Sequence, residues 1–81
     1  MNQNTLTVSA SDAPIRWGII GAGRIARTFA TDIDYAPHAA LTAVASRKLT
    51  RAQAFADDFS IPTAYGSYDD ILADPNIDAI Y

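Results

Sequence analysis

The 81-residue sequence has no cysteine, one lysine (Lys48) and one histidine (His38). Without cysteine there is no disulfide scaffold, no thiolate metal site and no thiol nucleophile, and the composition fits a reducing compartment. No apolar run approaches the ~18 residues needed to span a bilayer. The first residues carry neither a basic stretch followed by about 7–15 apolar positions nor paired arginines, so no secretory or twin-arginine signal is read. A soluble, cytoplasmic protein without membrane contact is expected. Length excludes two domains of ordinary size, since domains mostly run about 100–150 residues. With 49% hydrophobic and 19% charged residues the chain is neither disordered nor fibrous.

The charge that is present is unevenly placed. All six bases (Arg16, Arg24, Arg27, Arg47, Lys48, Arg51) fall in the first 51 positions beside Asp12, Asp32 and Asp34. The remaining positions hold Asp57, Asp58, Asp69, Asp70, Asp74 and Asp78 and no base. The bases form no continuous basic run, so a nucleic-acid surface is excluded and a local anionic ligand or a plain solvated pattern remains.

Short apolar runs alternate with segments of helical period. Residues 1–13 read as a flexible polar tail. Ile15 to Ile20 is a short apolar run leading to glycine, the pattern of a buried strand. Arg24 to about Tyr35 is predicted as an amphipathic helix with Ile25, Phe29 and Ile33 on its inner face and Ala26 and Ala30 filling the same side, stopped by Pro37. A second strand is predicted over Ala39 to Ser46, a second helix over Leu49 to Phe59, and a third strand over Thr63 to Tyr65. Ser67 and Asp70 have capping-box spacing before a third helix that ends near Ala73, and Ile77 to Tyr81 opens a fourth strand. This β-α-β-α-β-α-β order, with short connections, predicts an α/β doubly wound parallel sheet in strand order 3-2-1-4.

Gly21-Ala22-Gly23-Arg24-Ile25-Ala26 lies between the first strand and the first helix. A glycine pattern this short also fits an ordinary tight turn; its place between strand and helix favours dinucleotide binding. Gly21 permits the sharp turn, Gly23 lets a pyrophosphate approach the backbone, and Ala26 allows close helix–strand packing. The N–H groups of Arg24 and Ile25 then face the phosphates at the positive end of the helix dipole.

The end of the second strand bears on the cofactor. A site that prefers NAD usually has Asp or Glu about 20 residues beyond the glycines, accepting from the ribose 2′-hydroxyl. Here the chain reads Ser46-Arg47-Lys48. A hydroxyl followed by two cations suits a 2′-phosphate, with Arg47 able to bind it through two nitrogens, so NADP is expected over NAD. Arg51, one helical turn on, can point to the same place. For Lys48, solvation of a loop is the competing reading.

The GAGRIA turn, the AVASR strand end, the AQAFA helix and the stretch from Ala64-Tyr65-Gly66-Ser67-Tyr68 to Asp74-Pro75-Asn76-Ile77-Asp78-Ala79-Ile80-Tyr81 resemble the N-terminal part of the Gfo/Idh/MocA oxidoreductases. The Ser-Arg strand end is most similar to NADP-dependent members such as the dihydrodiol and xylose dehydrogenase group. The resemblance implies a Rossmann fold and hydride exchange between NADP(H) and a hydroxyl-bearing carbon of a sugar, polyol or cyclic diol. It implies that Ser46, Arg51 and Tyr65 approach the 2′-phosphate; Tyr65 packed as core beside the third strand is the competing reading. It further implies a catalytic lysine in an E-K-P motif, a histidine from a second domain, and homo-oligomers formed through that domain, none of them within these residues. Lys48 is assigned to the phosphate end, His38 to the surface and Trp17 to the core, while Asp57-Asp58 and Asp69-Asp70 read as solvated helix faces.

The expectation is therefore an incomplete dinucleotide-binding domain, cut in its fourth strand, that alone is marginally stable and without turnover. Two other classes stay open: a non-catalytic NAD(P)-sensing regulator, and a redox-neutral enzyme of the same family that retains NAD for glycoside chemistry.

Overall fold

The computed structural model describes residues 13–81, so the tail expected over 1–13 lies, apart from Ala13, outside the described residues. The chain runs β1 (Ile15–Ile20), α1 (Arg24–Ile33), β2 (Ala39–Ala45), α2 (Leu49–Phe59), β3 (Thr63–Tyr65), α3 (Tyr68–Leu72) and β4 (Ala79–Ile80). The strands form one sheet in the order β3-β2-β1-β4, every neighbouring pair parallel. Each helix is thus a crossover between parallel strands, and every strand-to-helix turn falls on the same edge of the sheet.

Alternate residues of β2 divide the core between two faces. Val44 packs with Ile19, Ala26, Ala30, Ala52, Phe55, Ala56 and Ile61, the layer formed by α1 and α2. Ala43 and Ala45 pack on the opposite face with Ile71 of α3, flanked by Ile20, Tyr65, Tyr68 and Ile77. The β1–β2 register slips by one between Trp17 and Gly18, and the skipped Thr42 donates its hydroxyl to the Trp17 carbonyl at 3.2 Å.

Several boundaries differ from expectation for local reasons. Helix α1 ends at Ile33, because the N–H groups of Tyr35 and Ala36 donate three residues back, to Asp32 and Ile33 (both 3.0 Å), tightening the chain before Pro37. Its inner face holds Ala26, Ala30 and Ile33 as expected, with Phe29 partly buried against the same core, while Ile25 is 72% exposed beside the glycine turn, which corrects the placing of Ile25 on that face. Strand β2 stops at Ala45, but the Ser46 N–H continues the ladder to the Tyr65 carbonyl at 3.1 Å. Strand β4 spans two residues, although Asp78 and Tyr81 also donate to the Arg16 and Gly18 carbonyls at 2.7 and 2.9 Å. Ser67 caps α3 by accepting the Asp70 N–H at 3.1 Å; among the described residues the reciprocal carboxylate bond of a full capping box is not made.

The two charge halves are stitched together. Arg16 on β1 donates to Asp78 beside β4 through Nε (3.1 Å), Nη2 (2.9 Å) and its backbone N–H (2.8 Å). Those bonds, led by the guanidinium's, lower the Asp78 carboxyl to about 2. Arg27 on α1 pairs with Asp58 on α2 at 3.0 Å; Asp58 stays exposed on the helix face expected of it and also holds Arg27.

Candidate nucleotide-binding site

The loops that follow β1, β2 and β3 meet at the C-terminal edge of the sheet. Gly21 takes φ +97°, a conformation that side chains oppose, and its N–H donates to the Ala45 carbonyl at 2.8 Å, fastening the turn to β2. Gly23 is the N-cap of α1 at φ −92°, an ordinary extended value, and a Cβ there would meet nothing within 4 Å among the described residues. Neither backbone strain nor packing among the described residues requires glycine at position 23. The open space in front of it is where an external group would approach.

Helix α1 begins with the Arg27 N–H donating to the Gly23 carbonyl at 3.1 Å, which leaves the N–H groups of Arg24, Ile25 and Ala26 without intrahelical partners. Among the described residues no side chain caps this end, and no acid lies in its first turn. Helix α2 repeats the arrangement. Lys48 is an N-cap without a side-chain cap bond, and Arg51 and Ala52 both donate to its carbonyl (3.0 and 3.1 Å), leaving Leu49 and Thr50 open. Both helix starts therefore present N–H groups and positive dipole ends to the same edge.

The bases sort by place. Arg16 and Arg27 are committed to Asp78 and Asp58. Among the described residues, Arg24, Arg47, Lys48 and Arg51 make no ion pair, and all four are exposed. Each belongs to the turn after β1 or β2 or to the first turn of the following helix. Ser46 is buried, its relative exposure 7%, and its hydroxyl accepts the Lys48 N–H at 3.4 Å. A cavity of about 430 Å³ lies between the ends of β1 and β4, lined by Ile20, Gly21, Gly23, Arg24, Ile25, Ala26 and Tyr81. This is the topological switch point, where strand order reverses and doubly wound sheets bind their ligands.

Tyr65 departs from the rest. Its hydroxyl donates to Asp74 Oδ2 at 2.7 Å instead of standing free for a phosphate. That bond raises the Tyr65 hydroxyl above its usual range and, together with the Asn76 N–H on Oδ1 (2.8 Å), lowers the Asp74 carboxyl. His38 sits at the opposite edge, where its carbonyl accepts the Ile15 N–H at 2.8 Å. Trp17 is half-buried and edge-on to Phe29 (5.5 Å), which stacks on Tyr81 (4.0 Å). Sequence reasoning missed Tyr81 as a wall of the switch-point cavity and missed the acid partners Asp58, Asp74 and Asp78. Only Asp74 carries a local signal, the Asp-Pro-Asn turn in which its carboxylate accepts from the residue two ahead.

The family described as the oxidoreductase family with an NAD-binding Rossmann fold, GFO_IDH_MocA, matches residues 15–81. The chain belongs to this family. Trans-1,2-dihydrobenzene-1,2-diol dehydrogenase of Mus musculus is 46% identical over 69 residues, covering 83% of this chain and 21% of that protein. The Danio rerio enzyme of the same name is 45% identical over the same length. Among solved structures, a 3-ketoreductase from Actinomadura kijaniata in complex with NADP and TDP-benzene superposes with TM-score 0.76 at 33% identity, over 84% of this chain and 21% of that one. Myo-inositol dehydrogenase from Lactobacillus casei, in complex with NAD(H) and myo-inositol, superposes with TM-score 0.76 at 28% identity, over 83% and 20%. The chain spans about a fifth of the length of the curated relatives it matches. These two solved structures carry NADP and NAD(H) respectively, so family membership alone does not fix which nucleotide is bound. Among the described residues no helix is long and apolar enough to cross a membrane.

Proposed function

We propose that this stretch holds NADP(H) in preference to NAD(H) and serves a dehydrogenase acting on a hydroxyl-bearing carbon of a sugar, polyol or cyclic diol. The observation that carries the proposal is the sorting of the bases. The four without acid partners among the described residues stand at the edge where both helix N-termini open, and Arg47 directly follows Ser46 at the end of β2. The glycine turn fits the pyrophosphate: Gly23 leaves its approach clear, and the N–H groups of Arg24 and Ile25 receive it. Arg47, Lys48 and Arg51 fit the 2′-phosphate, where a carboxylate would repel it. Ser46 backs this group through the Lys48 N–H. Tyr65 contributes by tying the end of β3 to the segment after α3 rather than by touching phosphate.

When bound, the nicotinamide supplies or accepts the hydride. The dihydrobenzene-diol dehydrogenase, 3-ketoreductase and myo-inositol dehydrogenase activities named for the relatives support the substrate class. Calorimetric titration of NADP⁺ and NAD⁺ against the chain and its Arg47→Asp variant tests the reading. Charge-assisted bonds to a phosphate contribute about 1.5–3 kcal/mol each, so NADP⁺ should bind the unaltered chain about tenfold or more tighter than NAD⁺. Arg47→Asp should reverse that order. Unchanged NADP⁺ affinity in the variant would contradict the assignment.

A further inference from the structure

The two helices that open toward the phosphates are braced by one side chain. Arg27, in α1 just past its first turn, donates from Nη2 to Asp58 Oδ2 at 3.0 Å, in the last turn of α2. Its guanidinium also lies 5.0 Å from the centre of the Phe59 ring and 5.7 Å from that of Phe55. The two rings lean on each other at 4.8 Å, so they form one platform. Among the described residues no other side-chain hydrogen bond links α1 to α2. Ala26 and Ala30 of α1 and Ala52, Phe55 and Ala56 of α2 belong to one buried cluster with Val44 of β2, and each helix packs directly on that strand.

Both helices run in the same direction from the same sheet edge, and Arg27 joins the early part of one to the late part of the other. Such a link is diagonal. A charge-assisted hydrogen bond combined with a ring platform restrains sliding of one helix along the other. Arg27 also borders the glycine turn, lining one open groove of about 600 Å³ with Gly23, Arg24 and Phe59.

We propose that Arg27 is a positioning residue: by bracing α1 against α2 it sets the span between their N-termini, so that a single nucleotide engages the Gly23 end and the Arg47 end together. The inference rests on the NADP reading above. A ligand with phosphates at both ends gains from a preset span, because its second contact forms at high effective concentration; a ligand with one phosphate does not.

The experiment titrates adenosine 2′,5′-bisphosphate, 2′-AMP and 5′-AMP against the full chain and its Arg27→Met, Arg27→Lys and Asp58→Asn variants, with melting temperature recorded for each. Arg27→Met, which keeps the apolar stem on the rings, should weaken the bisphosphate about fivefold while both monophosphates stay within about twofold. Arg27→Lys should restore most of the difference. Asp58→Asn, the milder change, should show the same selective loss and carries the comparison if Arg27→Met does not fold. Undiminished bisphosphate affinity, or equal weakening of all three ligands alongside a lower melting temperature, would overturn the brace. If the unaltered chain binds the bisphosphate no tighter than 5′-AMP, the NADP reading itself fails and the brace with it.

Discussion

Gly21 and Gly23 stand two residues apart and are glycine for different reasons. Gly21 must be, because φ +97° costs a side chain about 1–2 kcal/mol. Gly21→Ala should lower folding stability by that amount in a denaturant titration. Gly23 has an unstrained backbone and open space, so Gly23→Ala should cost folding no more than about 1 kcal/mol, the difference between glycine and alanine as an N-cap. The same methyl stands in the approach to the Arg24 and Ile25 N–H groups, so nucleotide affinity should fall about tenfold or more in a binding titration. Equal damage to folding and binding would mean that Gly23 serves the turn alone. These glycines were legible in the sequence because turn and helix start are local. The Tyr65 hydroxyl was not: its partner Asp74 lies beyond a helix, and the tyrosine alone does not say which way it points.

At the level of elements, alternation and glycine punctuation made the four strands and three helices readable, and tertiary contacts moved their ends. Ile25 shows the limit of periodicity. Its spacing matches Phe29 and Ile33, yet the sheet meets α1 along the alanine side and leaves Ile25 at the cavity. The Arg16–Asp78 bond closes β1 against β4 and left no signal in either segment, being 62 residues apart. Its consequence is a pH dependence of definite sign. The folded Asp78 carboxyl titrates near 2, below its value in an unfolded chain, about 3.9, so the contribution is complete above that value and is lost as pH falls from about 4 toward 2. Thermal midpoints of the unaltered chain should therefore drop through this window, and Asp78→Asn should show a shallower drop. Parallel curves would show that Asp78 does not couple folding to protons.

Across the whole molecule, the uneven charge of the sequence resolves into a division of labour. Two bases bind the first half to acids of the second, through Arg16–Asp78 and Arg27–Asp58, and the other four stand at the edge where the N-termini of α1 and α2 open. A net charge of −3 conceals this, since it averages over both groups. Strand order and the place of the switch point followed from the β-α alternation; which bases were already paired required the folded chain. The most direct test maps backbone amides by heteronuclear NMR during titration with NADP⁺ and, separately, NAD⁺. NADP⁺ should shift the amides of Gly23, Arg24 and Ile25 at the start of α1 and those of Arg47, Lys48 and Leu49 at the start of α2, whereas NAD⁺ should shift the first group and leave the second much less changed. Identical shifts at the start of α2 for both nucleotides, or shifts confined to other surfaces, would contradict a phosphate site built from these two helix ends.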